Sequence, residues 1–411
     1  MFLAGIVIFR AVLSTLRKSE YVELMILYFI QAAGMSIYFV PLGAILDANG
    51  LQGIKPYAFA TTALASFVSP LMFGAMADRH VPPARVLRWL AGTTGLLMAL
   101  VGLAIQQGLH PWLVLLLIQC FALAYAPMFS ISTALVLARL ENAQREFGPV
   151  RALATLGWMA GALFVGLMNL DRSVSTEYLG AAVWLMVAGF TFFLPQLEVP
   201  PSAEHLSWRQ RLGLDALVLL KDPNTRVIFI TTTLFNIPVS AFYPYAPTHL
   251  HDLGMRNTSA WMCLAQVTEL MGMFSLGWLL LRWRMKWIIL CGLGFGVARF
   301  ALSALNEKTG LLLGITLHGA SFVLVFISAT IYINQRVEPA WRSRAQALLT
   351  LLNGGVGNLI GYLGSGWWFK ACGSPAGTRW SLYWSLLSLM VVGIGGYFVS
   401  AYRVKPNRAS A

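Results

Sequence analysis

Twelve runs of mostly apolar residues follow one another along the chain, each close to the roughly 20 residues that a helix needs to cross a bilayer. Of the 411 residues, 58% are hydrophobic and only 11% are charged, whereas soluble domains carry about 25% charged residues. Backbone groups inside hydrocarbon must be hydrogen-bonded within the segment, so the runs are expected to be helices. They cover approximately 21–44, 56–76, 85–106, 110–138, 150–170, 177–196, 226–249, 258–281, 286–305, 309–334, 342–368 and 379–402.

The basic residues predict the orientation of these helices. The net charge of +13 comes from 29 Lys and Arg against 16 Asp and Glu, and most of the basic residues lie in alternate segments between the runs and at the two ends. Basic segments stay on the cytoplasmic side of a membrane, which predicts two cytoplasmic termini. The charge is therefore a topology signal, and no nucleic-acid partner is expected because no water-soluble basic domain accompanies it.

The longest polar interruption, residues 198–226, divides the runs into two sets of six. Two helical halves around a midplane site are common in secondary transporters. The predicted organisation is a cytoplasmic amphipathic arm at 1–20, a six-helix bundle at 21–196, a cytoplasmic linker at 197–225, a second six-helix bundle at 226–402 and a cytoplasmic tail at 403–411.

Several short motifs in a fixed order resemble known transporters. The string Gly74–Arg79, followed by Arg85 and Arg88, is similar to a loop motif of the major facilitator superfamily. Further stretches resemble one branch of it, the bacterial nucleoside:proton symporters; they are 149–158, 212–221, 265–269, 299–302 and 344–366. The similarity extends from about residue 21 to about residue 403.

This resemblance implies an all-α polytopic membrane protein with the major facilitator fold, twelve transmembrane helices in two six-helix bundles. It implies uptake of nucleosides, driven by protons through alternating access, across a bacterial inner membrane. The expected partners are the nucleoside, protons and the lipid bilayer, and the chain is expected to work as a monomer without a cofactor. A carrier of the same fold for another small polar solute, such as a sugar, is the alternative.

Glu269 is the most distinctive polar residue within the runs. A carboxylate near a helix centre costs about 2.5 to 3.5 kcal/mol on insertion scales, so it needs a partner, a water-filled cavity or a proton. A proton-coupled carrier requires such a group, although a structural ion pair with Arg151 or Arg299 is the alternative. Gln266 lies three residues earlier on the same helix face, and the resemblance places both residues in the substrate pocket.

A polar and aromatic stripe is predicted on the fifth run. Arg151, Thr155 and Trp158 are spaced four and three residues apart, so a cation, a hydroxyl and an aromatic plane share one face, which suits a ribose and a base. The resemblance places binding residues at the matching positions. An interfacial cation is the alternative for Arg151, and simple packing is the alternative for Trp158.

Two further pairs share a helix face. Gln31 and Tyr38 lie two turns apart in the first run, and both are candidates for the substrate cavity, with a helix–helix hydrogen bond as the alternative for Gln31. His318 and Phe322 are one turn apart in the tenth run. His318 is a second candidate for the proton, unless a neighbour satisfies its ring, and Phe322 is either core or a stacking partner.

This chain departs from the family pattern at several positions. In the seventh run, Ser240 and Tyr243 stand where amide side chains are usual. In other runs, His318 replaces a Tyr, Thr133 replaces an Asn, and Val323 replaces an acid. These differences leave the identity of the substrate open and leave Glu269 as the main carboxylate for coupling. Arg299, inside the ninth run, is expected to be structural or to orient Glu269.

The remaining polar groups fit structural roles. Asp78, Arg79 and Arg85 are predicted to form a conformational latch at the cytoplasmic face that stabilises the outward-open state. A membrane-embedded enzyme would need a cluster of polar catalytic groups near one interface, and the runs contain none, so no catalytic residues are assigned. No metal site is expected, since the four cysteines lack metal-ligand spacing.

Overall fold

The structure, a computed structural model, describes residues 21–77, 81–141, 143–194, 207–338 and 341–403, and these residues are almost entirely helical. Pro83 and Pro111 each begin a helix, at a position where a backbone N–H would have no helical partner. The helices before residue 195 are α1 Val22–Phe39, α2 Leu42–Ala48, α3 Lys55–Ala77, α4 Pro83–Gln106, α5 Pro111–Tyr125, α6 Met128–Arg139, α7 Ala143–Leu167 and α8 Ser175–Phe190.

Eleven helices follow in the described part of the chain after residue 206. Short 3-10 helices cover Gln52–Ile54 and Leu214–Lys221, and π-helical turns cover Val323–Ile327 and Leu351–Gly357. Two short antiparallel strands, β1 Gly373–Ser374 and β2 Gly377–Thr378, form a hairpin. The helices are α9 Trp208–Arg211, α10 Pro223–Val239, α11 Phe242–Asp252, α12 Thr258–Met262, α13 Leu264–Arg282, α14 Met285–Ala304, α15 Lys308–Phe322, α16 Ser328–Arg336, α17 Arg342–Thr350, α18 Asn358–Ala371 and α19 Trp380–Ala401.

The helices confirm the predicted membrane class. Within the described ranges, ten helical stretches are long and apolar enough to span a bilayer. The other two predicted runs, 56–76 and 177–196, coincide with α3 and α8. Several stretches are interrupted where a proline lacks a backbone donor, as at Pro41 between α1 and α2 and at Pro127 between α5 and α6. The total of twelve spans stays a prediction.

The described residues group into two compact units. The first contains those of Met1–His205 together with Arg256–Cys263, and the second contains those of Leu206–Met255 and Leu264–Ala411. We refer to them as the first and second units. The bundle boundaries predicted at 196 and 226 stay predictions, and the predicted arm at 1–20 lies outside the described residues.

The segment Arg256–Cys263 belongs to the first unit, although the sequence predicts it to begin the second run of the second bundle. Asp171, in the loop before α8, explains this placement. One of its carboxylate oxygens accepts hydrogen bonds from the Thr258 hydroxyl at 3.1 Å and from the Ser259 backbone N–H at 2.6 Å. The carboxylate thereby caps one of the otherwise unbonded N–H groups at the start of α12.

Glycines allow α1 and α7 to approach at backbone distance. A Cβ atom on Gly157 would collide with the Phe29 carbonyl, and one on Gly161 would collide with the Ser36 hydroxyl and lie 2.6 Å from the Ala33 carbonyl oxygen. Lipid provides no hydrophobic force between helices, so membrane helices associate through such close packing. The spacing of Gly157 and Gly161, one helical turn, places both on the face that meets α1.

We therefore expect Gly157→Ala to destabilise the protein by about 1–3 kcal/mol, the usual cost of forcing extra volume into a packed interface. Thermal unfolding of the purified protein in detergent should show a lower Tm. Gly92→Ala in α4 is the matched control, because a Cβ atom there meets nothing within 4 Å. An equal loss of Tm in both variants would contradict the proposed close approach.

Candidate functional site

Five of the predicted site residues lie on three helices of the second unit. Gln266 and Glu269 are on α13, Tyr243 is on α11, and His318 and Phe322 are on α15. We call these five residues the α13–α15 cluster. The Gln266 amide donates a hydrogen bond to the Tyr243 hydroxyl at 3.3 Å. Gln266 is buried, whereas Glu269, one turn further along α13, is half-buried.

Gly319 determines how closely the two main helices of this cluster approach. A Cβ atom at this position of α15 would collide with the Ala265 carbonyl and the Glu269 backbone nitrogen of α13. The Thr268 hydroxyl also donates a hydrogen bond across the interface to the Thr316 carbonyl. Because Gly319 adjoins His318 and Ala265 adjoins Gln266, this contact places the polar groups of both helices at one level.

The His318 ring lies within a group of aromatic rings. It stacks on Phe242 with a centroid distance of 4.0 Å and an interplanar angle of 10°. Tyr243 meets it edge-on at 6.4 Å, and Phe322 lies nearly parallel to it at 6.2 Å. The predicted face of His318 and Phe322 therefore carries two roughly parallel rings, and Phe242 covers one face of the His318 ring.

Arg299 of α14 supports this aromatic group. One of its guanidinium nitrogens lies 2.5 Å from His318 Nδ1, and the guanidinium carbon lies 4.8 Å from the ring centre of Phe242 and 4.5 Å from that of Phe300. Arg299 is only 2% exposed. A guanidinium can only donate hydrogen bonds, so Nδ1 of His318 accepts and the ring proton resides on Nε2.

Ser240, another predicted site residue, sits at a helix-packing contact. Its hydroxyl donates a hydrogen bond to the Ile237 carbonyl at 2.7 Å, within the turn that ends α10. A Cβ atom on Gly361 of α18 would collide with the same hydroxyl. Ser240 is buried, and its immediate surroundings are those of a small residue that permits two helices to approach.

A network of amides and a hydroxyl near this contact was not predicted as a site. The Asn236 amide of α10 donates to the Asn353 carbonyl at 2.7 Å and to the Asn358 side chain at 2.6 Å. The Thr233 hydroxyl approaches the Asn353 side chain at 3.2 Å. Asn353 lies in a π-helical turn, a feature frequent at functional sites. The sequence signal that could have revealed this network is the presence of amide side chains inside apolar runs.

A separate polar and aromatic group lies in the first unit. The Arg151 guanidinium is 4.4 Å from the ring centre of Phe129 and 5.9 Å from that of Tyr28. The Tyr28 hydroxyl donates to the Thr133 hydroxyl at 3.0 Å. The predicted stripe thus gains three aromatic or hydroxyl neighbours, of which Tyr28 and Phe129 were missed because ordinary aromatic residues in an apolar run carry no distinguishing sequence signal.

The remaining predicted residues of the first unit lie within its core or at its surface. Thr155 is buried, and the Trp158 ring meets Phe39 edge-on at 6.1 Å. Gln31 and Tyr38 are both buried, and the Tyr38 ring packs on Phe121 at 4.5 Å. Of the predicted latch, Asp78 and Arg79 lie outside the described residues and Arg85 is exposed; the latch stays a prediction.

The α13–α15 cluster combines chemistry suited to a flat, polar-edged ligand. Aromatic faces at His318 and Phe322 can stack on a ring, while an amide and a carboxyl can bind hydroxyls or ring-edge donors and acceptors. Among the described residues, no group of three or more His, Cys, Asp and Glu side chains is arranged to hold a metal ion. These groups have the chemistry to bind a small organic molecule.

The chain resembles known transporters over most of its length. It is 29% identical over 398 residues to a candidate nucleoside transporter, YegT, of Escherichia coli strain K12, which covers 91% of this chain and 92% of that protein. It is 24% identical over 369 residues to the nucleoside permease NupG of the same strain, with 85% of this chain and 87% of that protein covered.

The fold agrees with a solved structure of the same kind. The structure of NupG superposes with a TM-score of 0.85 at 22% sequence identity and covers 94% of this chain and 100% of that one. This match confirms the predicted major facilitator fold. A family model described as nucleoside H+ symporter matches residues 19–407. The chain therefore belongs to the nucleoside H+ symporter family, a family of multi-pass membrane transporters rather than enzymes.

Proposed function

We propose that this protein takes up nucleosides together with protons by alternating access. The observation that carries the proposal is the pairing, in the α13–α15 cluster, of the Glu269 carboxyl and the Gln266 amide with the rings of His318 and Phe322. In this proposal the protein acts as a monomer in a bacterial inner membrane, with both termini in the cytoplasm, as the distribution of basic residues predicts.

Glu269 is the proposed coupling group. As a carboxylate it accepts hydrogen bonds from ribose hydroxyls, and as a carboxylic acid it also donates one. Protonation therefore changes both its charge and the set of ligand groups that it can bind. A nucleoside bound next to Glu269 stabilises the protonated and the ionised forms of this half-buried carboxyl by different amounts. This difference couples proton binding to nucleoside binding.

His318 is proposed as a neutral ligand-binding group. Its Nδ1 atom accepts a hydrogen bond from Arg299, and a second ring proton would remove this acceptor and place two cations side by side. The Nε2–H group is then a donor for a base edge. This geometry supports Glu269 over His318 as the carrier of the proton.

The aromatic rings support a nucleoside over a sugar. A base offers a planar π face to the rings of His318 and Phe322, whereas a sugar ring offers them only C–H groups. Arg151, Thr155 and Trp158 of the first unit are proposed as substrate-binding residues, Arg151 through ribose or base oxygens and Trp158 through stacking. Tyr243, where this chain differs from the family pattern, is proposed to help select the base, whereas Ser240 and Val323 are buried in packing contacts.

Glu269→Gln removes the titratable group and keeps a similar shape. We expect gradient-driven nucleoside accumulation in proteoliposomes to be lost, while counterflow exchange, which needs no net proton movement, continues at a reduced rate. Glu307→Gln, at an exposed position outside the spans, is the matched control and should retain accumulation. Full accumulation by the Glu269→Gln variant would rule out this coupling site.

His318→Gln replaces the ring N–H donor with an amide N–H donor and removes the aromatic ring. We expect nucleoside affinity to fall by about 0.5–1.5 kcal/mol, the usual worth of an aromatic stacking contact, with proton-driven accumulation preserved at saturating nucleoside. Binding is measured by calorimetry and accumulation by proteoliposome uptake. If the variant exchanges nucleosides normally but no longer accumulates them, His318 carries the proton and the proposed role is wrong.

Gly319→Ala adds one methyl group between α13 and α15. We expect nucleoside affinity to fall at least as much as overall stability, which should decrease by about 1–3 kcal/mol, because the added group separates Gln266 from His318. Gly294→Ala in α14, where a Cβ atom meets nothing within 4 Å, should change neither quantity. Unchanged nucleoside affinity in the Gly319→Ala variant would contradict the positioning role.

A further inference from the structure

Glu177, in the first turn of α8, is a buried carboxyl that the proposed transport mechanism does not use. Its exposed fraction is 0%, and neither of its carboxylate oxygens has a hydrogen-bond partner among the described residues. Its Cβ atom packs directly on Gly102 of α4, where a glycine Cβ would lie 2.9 Å away. An ionised carboxylate is costly in such surroundings, so the burial favours the neutral acid over the carboxylate.

Helix α1 runs antiparallel to α8 beside this carboxyl. A Cβ atom on Gly34 would lie 3.0 Å from Val183, and one on Gly180 would lie 3.6 Å from Ile37. Residue numbers therefore rise along α1 in the direction in which they fall along α8. Tyr38, one residue beyond Ile37, therefore lies on the part of α1 that passes Glu177. The Tyr38 hydroxyl is the nearest titratable neighbour from α1.

Glu177 and Tyr38 begin a line of polar groups that continues towards the start of α1. The Trp184 indole nitrogen is buried without a hydrogen-bond partner in the described ranges, and a Cβ atom on Gly34 would lie 3.5 Å from it. Gln31, one turn before Gly34, is 4% exposed, and neither atom of its amide is hydrogen-bonded to a residue that the structure describes. Gln31 and Tyr38 are about 10 Å apart along the helix.

The neighbouring elements bring little charge to this line. Helix α4 contributes Gly102 and Met98, and α5 contributes Phe121 against Tyr38 and Tyr125 against Trp184. On α8 itself, the Tyr178 hydroxyl donates a hydrogen bond to Gln106 at 2.6 Å. Among the described residues, the titratable groups next to Glu177 are therefore tyrosines. The cation that α7 brings, Arg151, lies beside Tyr28, one turn before Gln31.

We propose that Glu177 is a second proton-binding site of the transporter, separate from Glu269, and that Tyr38, Trp184 and Gln31 form a polar track leading from it. Water at the end of α8 where Ser175 begins the helix supplies the proton, which adds to one carboxylate oxygen to give the acid. The proton leaves to water when the track becomes hydrated. Buried water bridges polar groups of this kind. As a coupling site, Glu177 depends on the proposed function.

A purely structural role for Glu177 makes a different prediction. An acidic residue in the first turn of a helix stabilises the helix dipole when it is ionised and bonded to the free N–H groups there. The Glu177 oxygens make no such bonds, so this role does not account for the burial. A structural acid would keep its proton permanently, whereas a proton-binding site must gain and lose it.

Infrared spectroscopy of the purified protein tests the site directly. We expect the wild type to show a protonated-carboxyl C=O component that remains in Glu269→Gln, shifts in D2O, weakens as the pH is raised and is absent from Glu177→Gln. Glu177→Asp should shift this component rather than remove it, which covers the case of a poorly folded amide variant. The exposed Glu307→Gln variant should keep the component. If Glu177→Gln removes no component of the band, or removes one that never titrates, the proposal is overturned.

Transport measurements test the coupling role. In proteoliposomes we expect Glu177→Gln to exchange nucleosides by counterflow as the wild type does but to take up fewer protons per nucleoside, measured with a pH indicator. An unchanged proton-to-nucleoside ratio overturns the coupling role. Absence of nucleoside counterflow in the wild type would instead refute the proposed function, and the infrared test of Glu177 would still stand or fall by itself.

Discussion

Close approach of helices in an apolar solvent is the constraint on which the other features depend. In hydrocarbon there is no hydrophobic force that drives apolar helix faces together, so dense packing must hold the helices together. Glycines make this packing possible in both units, at Gly157 and Gly161 between α1 and α7, and at Gly319 between α13 and α15. The same contacts that stabilise each unit also decide which polar side chains meet.

This constraint explains why the candidate site is compact. Gly319 brings the backbone of α15 against that of α13, so His318 and Phe322 lie at the level of Gln266 and Glu269. Arg299 then satisfies His318 and lies against two aromatic rings. The buried cation therefore helps to orient the His318 ring, whereas the expectation was a structural role or the orientation of Glu269.

Much of the fold could be predicted because apolar length and basic loops are local properties of the chain. The site was predicted less completely. The motif positions on α13 and α15 do lie together, but Ser240 is held in a packing contact, and the Asn236, Asn353 and Asn358 network was not anticipated. Glu177 was also missed, since a carboxyl at the start of a run reads as an interfacial residue until the burial by α1 and α4 is known.

The sequence by itself determined the membrane class, the approximate spans and the family, because each of these rests on composition or on motifs within one segment. The tertiary structure decided which groups are partners, namely Arg299 with His318 and Asp171 with the start of α12. It also left Glu177 without a hydrogen-bond partner in the described part of the chain. These outcomes involve residues far apart in the chain, and they depend on helix rotation and separation. Packing at a few glycines sets both quantities, and no local pattern encodes them.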